Sequence, residues 1–494
     1  EHGVFSATRR FVIKKTEVEL SSWEDYRDFG KAISDDENKY VHLNGSGTIA
    51  GAGAGANAGS LDEQFRLGLM ALQQHDFEHA QELFVAIIAK DPNYRGAHFN
   101  LGIALVSRRQ VPEAINEFRK EEEVSPENTN AYQAAAMYLH GDEAIEEWRK
   151  LLKVDPGNRM AASNLAGLLF QAERYPEAVS ALETAVKAAP DSAGLEYQLG
   201  AAYLKTGQNE KAAATFQKAI EQNSDDPEML NNVAYTLAEN KLRLDLAQQY
   251  AEAAVKKLEA ESLKDAADAD ASARVTYQLS LTWDTLGWVY FQNGNANRSE
   301  SYVRAAWLLG QQGLVGGHLG EIYEKEGKRK LAAHTYELAL AALSDAPIYP
   351  GSAFTPLTTP KASESLTNEM TSRFQKLTGR KPSFRESNRL PNGEWTKSAV
   401  DQLREMRTFK FGKENSLSGS AEFSIVFAPE GIESVGYQSA GESLKALTER
   451  IKTAHFEVEF PPESQARIRR RAMANCSSIS GCMVVLIPPQ PPRY

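Results

Sequence analysis

Few residues in this chain are spaced as reactive groups are. His75, Glu78 and His79 spell H-x-x-E-H, a zinc-protease pattern in which two imidazoles hold a metal and a carboxylate works beside it. That chemistry needs the ligands on one helix face. The helical register of the flanking residues instead puts His75 in a turn, and no third ligand is apparent. Gly45, Gly47 and Ala50 fit the loose dinucleotide pattern G-x-G-x-x-A. The pattern works only between a strand and an amphipathic helix, and here Gly/Ala alternation follows. No Ser, His and acid assemble as a triad. The chain reads as a non-enzyme, with no catalytic residue, metal or cofactor assigned.

Cys476 and Cys482 are the only cysteines, and they flank a short Ser/Gly-rich run. Ala466–Asn475 before it and Met483–Ile487 after it read as two strands of a hairpin. The expected state is a disulfide across the hairpin mouth, with two free thiols as the alternative. Disulfides persist in oxidising compartments, so the expected location is extracellular or periplasmic. Two thiols lack the other two ligands of a structural zinc site.

Composition narrows the partners. Lys+Arg number 55 and Asp+Glu 66, a net charge of −11, whereas broad nucleic-acid binding needs basic patches. No run approaches the ~18 apolar residues of a membrane span. The sequence opens at Glu1, which reads as processing or as part of a longer gene product.

The elements that must position any site come from a repeat. Prolines 92, 126, 156, 190 and 227 lie 34, 30, 34 and 37 residues apart. Between them a small residue returns in one helical segment: Gly68, Gly102, Ala136, Ala166, Gly200, Ala234, Gly287, Gly320. Another opens the next segment, as at Ala80, Ala114, Ala144 and Ala178, and a bulky residue often follows four positions on, as at Phe84, Phe118, Trp148, Leu182, Phe216, Val303 and Tyr336. Small residues let two helices approach, large ones fill the gaps, and proline stops the unit. The third unit is four residues short, expected at its inter-helix turn. The sixth carries an insertion near 257–279, expected as a loop or helix extension.

This grammar resembles the tetratricopeptide repeat, most clearly in Trp283, Leu286, Gly287, Tyr290 and Gly294, and in Gly320, Tyr323, Gly327, Ala332 and Tyr336. The fold expected is mainly α: a tetratricopeptide α-solenoid of about eight repeats over residues 61–345. The resemblance implies a concave face made by the first helix of each repeat. Phe99, Ile103, Tyr197, Leu204, Trp288 and Phe291 are expected to line it as a groove for a helix or an apolar peptide.

Residues 1–43 read as a strand–helix arm and 44–60 as a Gly/Ala linker. One strand is expected over 3–20, with Phe5, Ala7, Phe11 and Ile13 on a face, then a helix opened by Ser21 and Glu24 as a capping box. The runs Arg9-Arg10-Phe11-Val12-Ile13-Lys14-Lys15 and Trp23-Glu24-Asp25-Tyr26-Arg27 resemble the end of a β-domain that accompanies transglutaminase-like cores in secreted bacterial proteins. No Cys-His-Asp set follows. The resemblance implies a strand separated from its sheet.

Residues 346–392 read as a Pro/Ser/Thr-rich linker with one helix, striped by Leu366, Met370, Phe374 and Leu377 and ended by Gly379. Residues 393–494 read as a small α+β domain: a helix over Trp395–Met406, strands over Ala421–Phe427 and Gly431–Tyr437, a helix over Glu442–Thr453, a strand over His455–Phe460 and the cysteine hairpin. Phe423-Ser424-Ile425-Val426-Phe427, Glu430-Gly431-Ile432, the Ser439-Ala440-Gly441 turn and the segment from Phe456 to Pro462 resemble the C-terminal domain of TonB-like energy transducers. That implies a cell-envelope interaction module. Arg467, Arg469 and Arg471 alternate, so they share one face of a strand, solvated or set against an acidic partner.

The function expected is a secreted, non-catalytic repeat scaffold that binds protein. It extends to other copies of the chain, which a donated N-terminal strand would join head to tail into a filament. The alternative is the accessory portion of a transglutaminase-like cell-envelope enzyme.

Overall fold

The computed structural model describes residues 9–13, 16–20, 60–264, 269–345, 360–383, 397–411, 417–439, 442, 444–477 and 481–489. Two compact units result: Glu1–Gln64 with Pro492–Tyr494, and Phe65–Pro491.

In the first unit β1 (Arg9–Ile13) and β2 (Thr16–Leu20) pair antiparallel, with Phe11 opposite Val18 and Ile13 opposite Thr16. The single strand expected over 3–20 is therefore two. A lone strand leaves its backbone groups unpaired, and the segment that follows is the nearest partner. Phe5, Ala7 and the helix expected from Ser21 lie outside the described residues.

From Leu61 to Asp345 the chain forms eight helical hairpins. Their first helices are α1 (Leu61–Gln73), α3 (Ala97–Ser107), α5 (Thr129–Tyr138), α7 (Arg159–Gln171), α9 (Ala193–Lys205), α11 (Pro227–Glu239), α13 (Ala269–Gln292) and α15 (Gly313–Lys325). Their second helices are α2 (Phe77–Lys90), α4 (Val111–Val124), α6 (Gly141–Val154), α8 (Tyr175–Ala188), α10 (Asn209–Gln222), α12 (Leu244–Ser262), α14 (Ala296–Gly310) and α16 (Arg329–Asp345).

The small-to-large pairing read from the sequence is the contact that closes the five hairpins whose small residue is glycine. A Cβ on Gly68 would stand 2.7 Å from the Phe84 ring, one on Gly102 2.4 Å from Phe118, and one on Gly200 2.6 Å from Phe216. Gly287 meets Val303 at 2.5 Å and Gly320 meets Tyr336 at 2.5 Å in the same way. Tight turns close the hairpins with residues at positive φ, such as His75 at 60°, Arg109 at 63° and Glu173 at 57°, and the sixth turn holds two, Lys241 and Arg243. In the third repeat only Leu139 and His140 separate α5 from α6, and α5 is just 10 residues long. The missing residues are thus split between turn and helix.

The insertion in the sixth repeat lengthens its helices: α12 runs for 19 residues, and α13, which opens the seventh repeat, runs for 24. Beyond the last repeat, α17 (Pro360–Thr378) buries Met370 and Phe374 and ends at Gly379, where φ is 73°. Met370 lies over Gly317, and Arg373 pairs with Glu321 at 3.0 Å and Glu324 at 3.3 Å. This helix caps the apolar end of the array, as a stack of amphipathic hairpins requires.

The C-terminal domain is a five-stranded antiparallel sheet in the order β3-β7-β6-β4-β5. Its strands are β3 (Thr408–Phe411), β4 (Gly419–Ala428), β5 (Gly431–Tyr437), β6 (Ile468–Ser477) and β7 (Gly481–Leu486). Helices α18 (Ala399–Met406) and α19 (Leu447–Lys452) bury Leu403, Leu447 and Ile451. The helix expected over Glu442–Thr453 is shorter, and β3 has no counterpart in the sequence reading. His455–Phe460 forms no strand. Phe456 packs on Phe409 and Phe427 with centroids 5.9 Å apart in each pair, and Phe460 packs on Trp283 at 6.1 Å. Alternating aromatics can fix a segment by ring packing without any ladder.

Candidate functional site

The first helices of successive repeats carry a row of equivalent positions. Leu69, Ile103 and Met137 are each 34 residues apart. Leu69 is 40% exposed and Met137 59%, with Ile103 half-buried. The row continues at Gly167, where no atom lies within 4 Å of a built Cβ, then at Ala201, Tyr235, Trp288 and Glu321. Leu67 and Met70 are exposed beside Leu69, and Tyr138 beside Met137, so apolar surface gathers at this end of the row.

The six groove candidates divide. Phe99, Ile103, Leu204 and Phe291 are half-buried. Tyr197 is only 4% exposed and Trp288 only 5%. The Tyr197 ring packs on Phe216 at 5.7 Å, and its hydroxyl lies 3.1 Å from Thr236 Oγ1. Trp288 stacks on His318 at 4.1 Å and on Phe291 at 5.0 Å. Large rings at these positions fill the space between adjacent first helices, so both belong to the floor and not to the open surface.

That floor is polar as well as aromatic. His318 Nδ1 lies 2.9 Å from Asp284 Oδ2 and 3.0 Å from Oδ1, and both side chains are buried. Burial alone pushes the His318 imidazole down, and the charge and hydrogen bond of Asp284 more than reverse it, so the net shift is up. Burial raises the Glu321 carboxyl, against the pull of Arg373 and His318. Burial also raises the Tyr235 phenol, and the Glu239, Asp284 and Glu321 carboxylates add to it. Three helices thus bring their acids to one place.

A second junction ties the C-terminal sheet to the solenoid, and sequence reasoning missed it. The lengthened α12 and α13 supply Glu259, Ser262 and Thr276. Ser464 Oγ donates to Glu259 Oε1 at 2.6 Å, and the Arg467 N–H donates to Ser262 Oγ at 3.0 Å. Thr276 Oγ1 makes two hydrogen bonds to the Arg469 backbone. The backbone groups of Arg469 in β6 and the N–H of Arg467 just before it, which β7 does not reach, are satisfied this way, as a sheet edge needs. The signal available in the sequence was the insertion itself.

Arg469 and Arg471 do share one face of β6, Arg467 lies just before the strand, and each is engaged: Arg467 with Glu433 at 2.9 Å, Arg469 with Ser424 Oγ at 3.4 Å, and Arg471 with Glu422. The informative arginine is Arg470, only 2% exposed. It donates to the Leu309 carbonyl at 2.9 Å and to the Ile487 carbonyl at 3.0 Å. Burial, then repulsion from Arg407, pushes its guanidinium down to about 9. Leu309 lies in the last turn of α14, so the negative end of that helix faces the buried cation. Parity with the inward Ile468 and Ala472 would have singled out Arg470.

Cys476 and Cys482 oppose each other across β6 and β7 and are joined as a disulfide. His75 occupies the turn before α2, and His79 lies in the first turn of that helix with its N–H capped by Asp76. No group of three or more metal-ligating side chains exists among the described residues, and no described helix is long and apolar enough to cross a membrane.

Comparison with known proteins bears on the solenoid. The tetratricopeptide repeat family matches residues 65–128, 140–193 and 169–234. The type IV pilus assembly protein PilF of Pseudomonas aeruginosa is 26% identical over 162 residues, covering 32% of this chain and 64% of PilF. The protein O-mannosyl-transferase Tmtc3 of Drosophila melanogaster is 25% identical over 131 residues, covering 26% of this chain and 14% of that protein. The chain therefore spans less than two thirds of either relative. Among solved structures, YrrB, titled a TPR protein with an unusual peptide-binding site, is 21% identical with a TM-score of 0.30, covering 36% of this chain and 93% of its own. The Cut9–Hcn1 complex is 16% identical with a TM-score of 0.35, covering 63% and 57%. The helical array built on Gly68, Gly102 and their equivalents is a tetratricopeptide-repeat solenoid.

Proposed function

We propose that the chain is a non-catalytic scaffold that holds a protein partner along the first helices of its repeats. The observation that carries this reading is the row Leu69, Ile103 and Met137, apolar and accessible at constant spacing. A segment laid along it would bury side chains that water now touches, at about 25 cal/mol per Å2. Phe99, Leu204 and Phe291 border the same path, while Tyr197 and Trp288 support it from below. The disulfide between Cys476 and Cys482 suits a secreted setting, outside the cell or in the periplasm. An assembly role would agree with the name of PilF, a type IV pilus assembly protein. The test is to change Ile103→Glu and Met137→Glu together. Partner binding should fall at least about tenfold with helical content unchanged, and unaltered binding would refute the reading.

A second reading concerns self-association. The β1–β2 pair is a two-stranded sheet, and two strands are marginal without a third. Strand addition through Phe5, Ala7, Phe11 and Ile13 to another copy would complete it, and a head-to-tail contact that does not close builds a filament. The C-terminal sheet, by its resemblance to TonB-like domains, would serve as an envelope interaction module. The alternative, an accessory part of a transglutaminase-like enzyme, rests on residues 1–43 alone.

A further inference from the structure

Sulfur chemistry singles out one part of the first-helix row. Cys476 and Cys482 are the only cysteines, and both are taken up in the disulfide. The chain therefore has no thiol to meet an oxidant first, and its thioethers are the oxidisable sulfur that is left. Of the eight methionines, Met70, Met137 and Met483 are exposed, Met370 is buried and the other four are half-buried. Met137 is the most exposed large apolar side chain among the described residues.

The two exposed methionines on first helices share a second feature. Gln133 Nε2 lies 4.0 Å from Met137 Sδ, and Arg66 Nη1 lies 3.6 Å from Met70 Sδ. Each donor stands four residues before its methionine, one helical turn back on the same face. A thioether is a weak acceptor, so the donor gains little from the reduced sulfur. A sulfoxide oxygen is a strong acceptor. Each site thus already holds the N–H that the oxidised side chain needs.

We propose that Met137, with Met70 near the same row, is a site of reversible oxidation to methionine sulfoxide by a peroxide, and that this conversion weakens the row as an apolar contact surface. A sulfur lone pair attacks one oxygen of hydrogen peroxide. The S–O bond forms as the O–O bond breaks, and the leaving hydroxide takes the proton of the transferred oxygen to become water. The sulfur loses two electrons and the peroxide gains them. An S=O dipole then stands at the most exposed position of the row, held by the Gln133 amide, and an apolar segment laid there must strip water from it. Sulfoxide reductases return the thioether, so the change is reversible. The inference rests on the scaffold reading and names a regulation of the same surface.

The test treats the full chain with limiting hydrogen peroxide and follows each methionine by peptide mass spectrometry. The dye anilinonaphthalene sulfonate serves as the probe of exposed apolar surface. Met137 should oxidise first, at least about tenfold faster than the buried Met370. Dye fluorescence should fall in step with it at unchanged helical content, and a methionine sulfoxide reductase should restore it. The variant Met70→Leu/Met137→Leu should bind dye alike before and after peroxide, whereas Met483→Leu should respond as the unaltered chain does. Met137 oxidising no faster than the half-buried methionines, or dye binding indifferent to its oxidation, would overturn the proposal. The order of oxidation needs no partner. If Ile103→Glu and Met137→Glu leave partner binding unaltered, the scaffold reading fails and the oxidation site stands.

Discussion

Thr276 Oγ1 donates to the Arg469 carbonyl and accepts from the Arg469 N–H, both at 3.2 Å, so one hydroxyl of the repeat array completes two backbone groups of the C-terminal sheet. The relationship explains why the sixth repeat is enlarged. A repeat of ordinary length would end before Ser262 and begin after Thr276, and the sheet would have no edge partner there. The solenoid and the sheet thus meet through a platform built by the insertion, fixed further by the buried Arg470 on the end of α14.

Replacing Thr276→Val keeps the shape and removes both hydrogen bonds. Each orphaned backbone group costs about 1–3 kcal/mol. The variant should unfold its C-terminal sheet at lower denaturant, and amide exchange at residues 467–469 should quicken. Exchange in the first three repeats should not change. Uniform quickening along the whole chain would contradict a local role.

Gly102→Ala tests the packing rule. Its Cβ would stand 2.4 Å from a Phe118 ring carbon, and the ring is fully buried. Overpacking of this kind costs about 1–3 kcal/mol, readable as a lower denaturation midpoint. The change Gly207→Ala, at an exposed turn with φ 75° and nothing near its Cβ, should cost through backbone strain instead. Adding Phe118→Leu should recover part of the loss in the first variant and none in the second.

Glu122 gives a pH prediction. Burial first, then the hydrogen bond and charge of Glu147, raises its carboxyl from 4.5 to about 8, and Lys150 opposes them. The folded chain therefore holds a proton that the unfolded chain gives up. That stability is fully present below about 4.5 and is lost as pH rises through about 8. Glu122→Gln should flatten the pH dependence of the denaturation midpoint across this window and be the more stable protein at its upper end. A parallel decline in both proteins would show that Glu122 is not the group responsible.

The self-association reading predicts fibres in negative-stain images of the full chain, and their loss on removing residues 1–43. Phe11→Asp or Ile13→Asp should abolish them while helical content stays the same. A monodisperse monomer before and after truncation would remove that reading and leave the groove untouched.

What the sequence disclosed follows from how local each signal is. The pairing of Gly68 with Phe84 lies 16 residues apart and recurs at that spacing along the array, shortened to 12 between Ala136 and Trp148, so the array and even the short third repeat are legible. The stripe of Leu366, Met370 and Phe374 gave α17, although its place over Gly317 was not visible. Residue type and register put Tyr197 and Trp288 on an open surface, because neither shows what the neighbouring helix covers. The contacts of Thr276 and Arg470 join segments more than 150 residues apart, and no periodicity encodes them. His455–Phe460 alternates like a strand, yet its aromatics find ring partners and not a ladder.

The central claim is that a partner lies along the first helices of the repeats. Site-specific photocrosslinking tests it most directly, with a photoreactive residue placed in turn at Ile103, Met137 and Tyr235, and at Glu113 on a second helix as control. The account predicts covalent adducts to one partner protein from the three first-helix positions and none from position 113. Equal capture at all four positions, or adducts from position 113 alone, would contradict it.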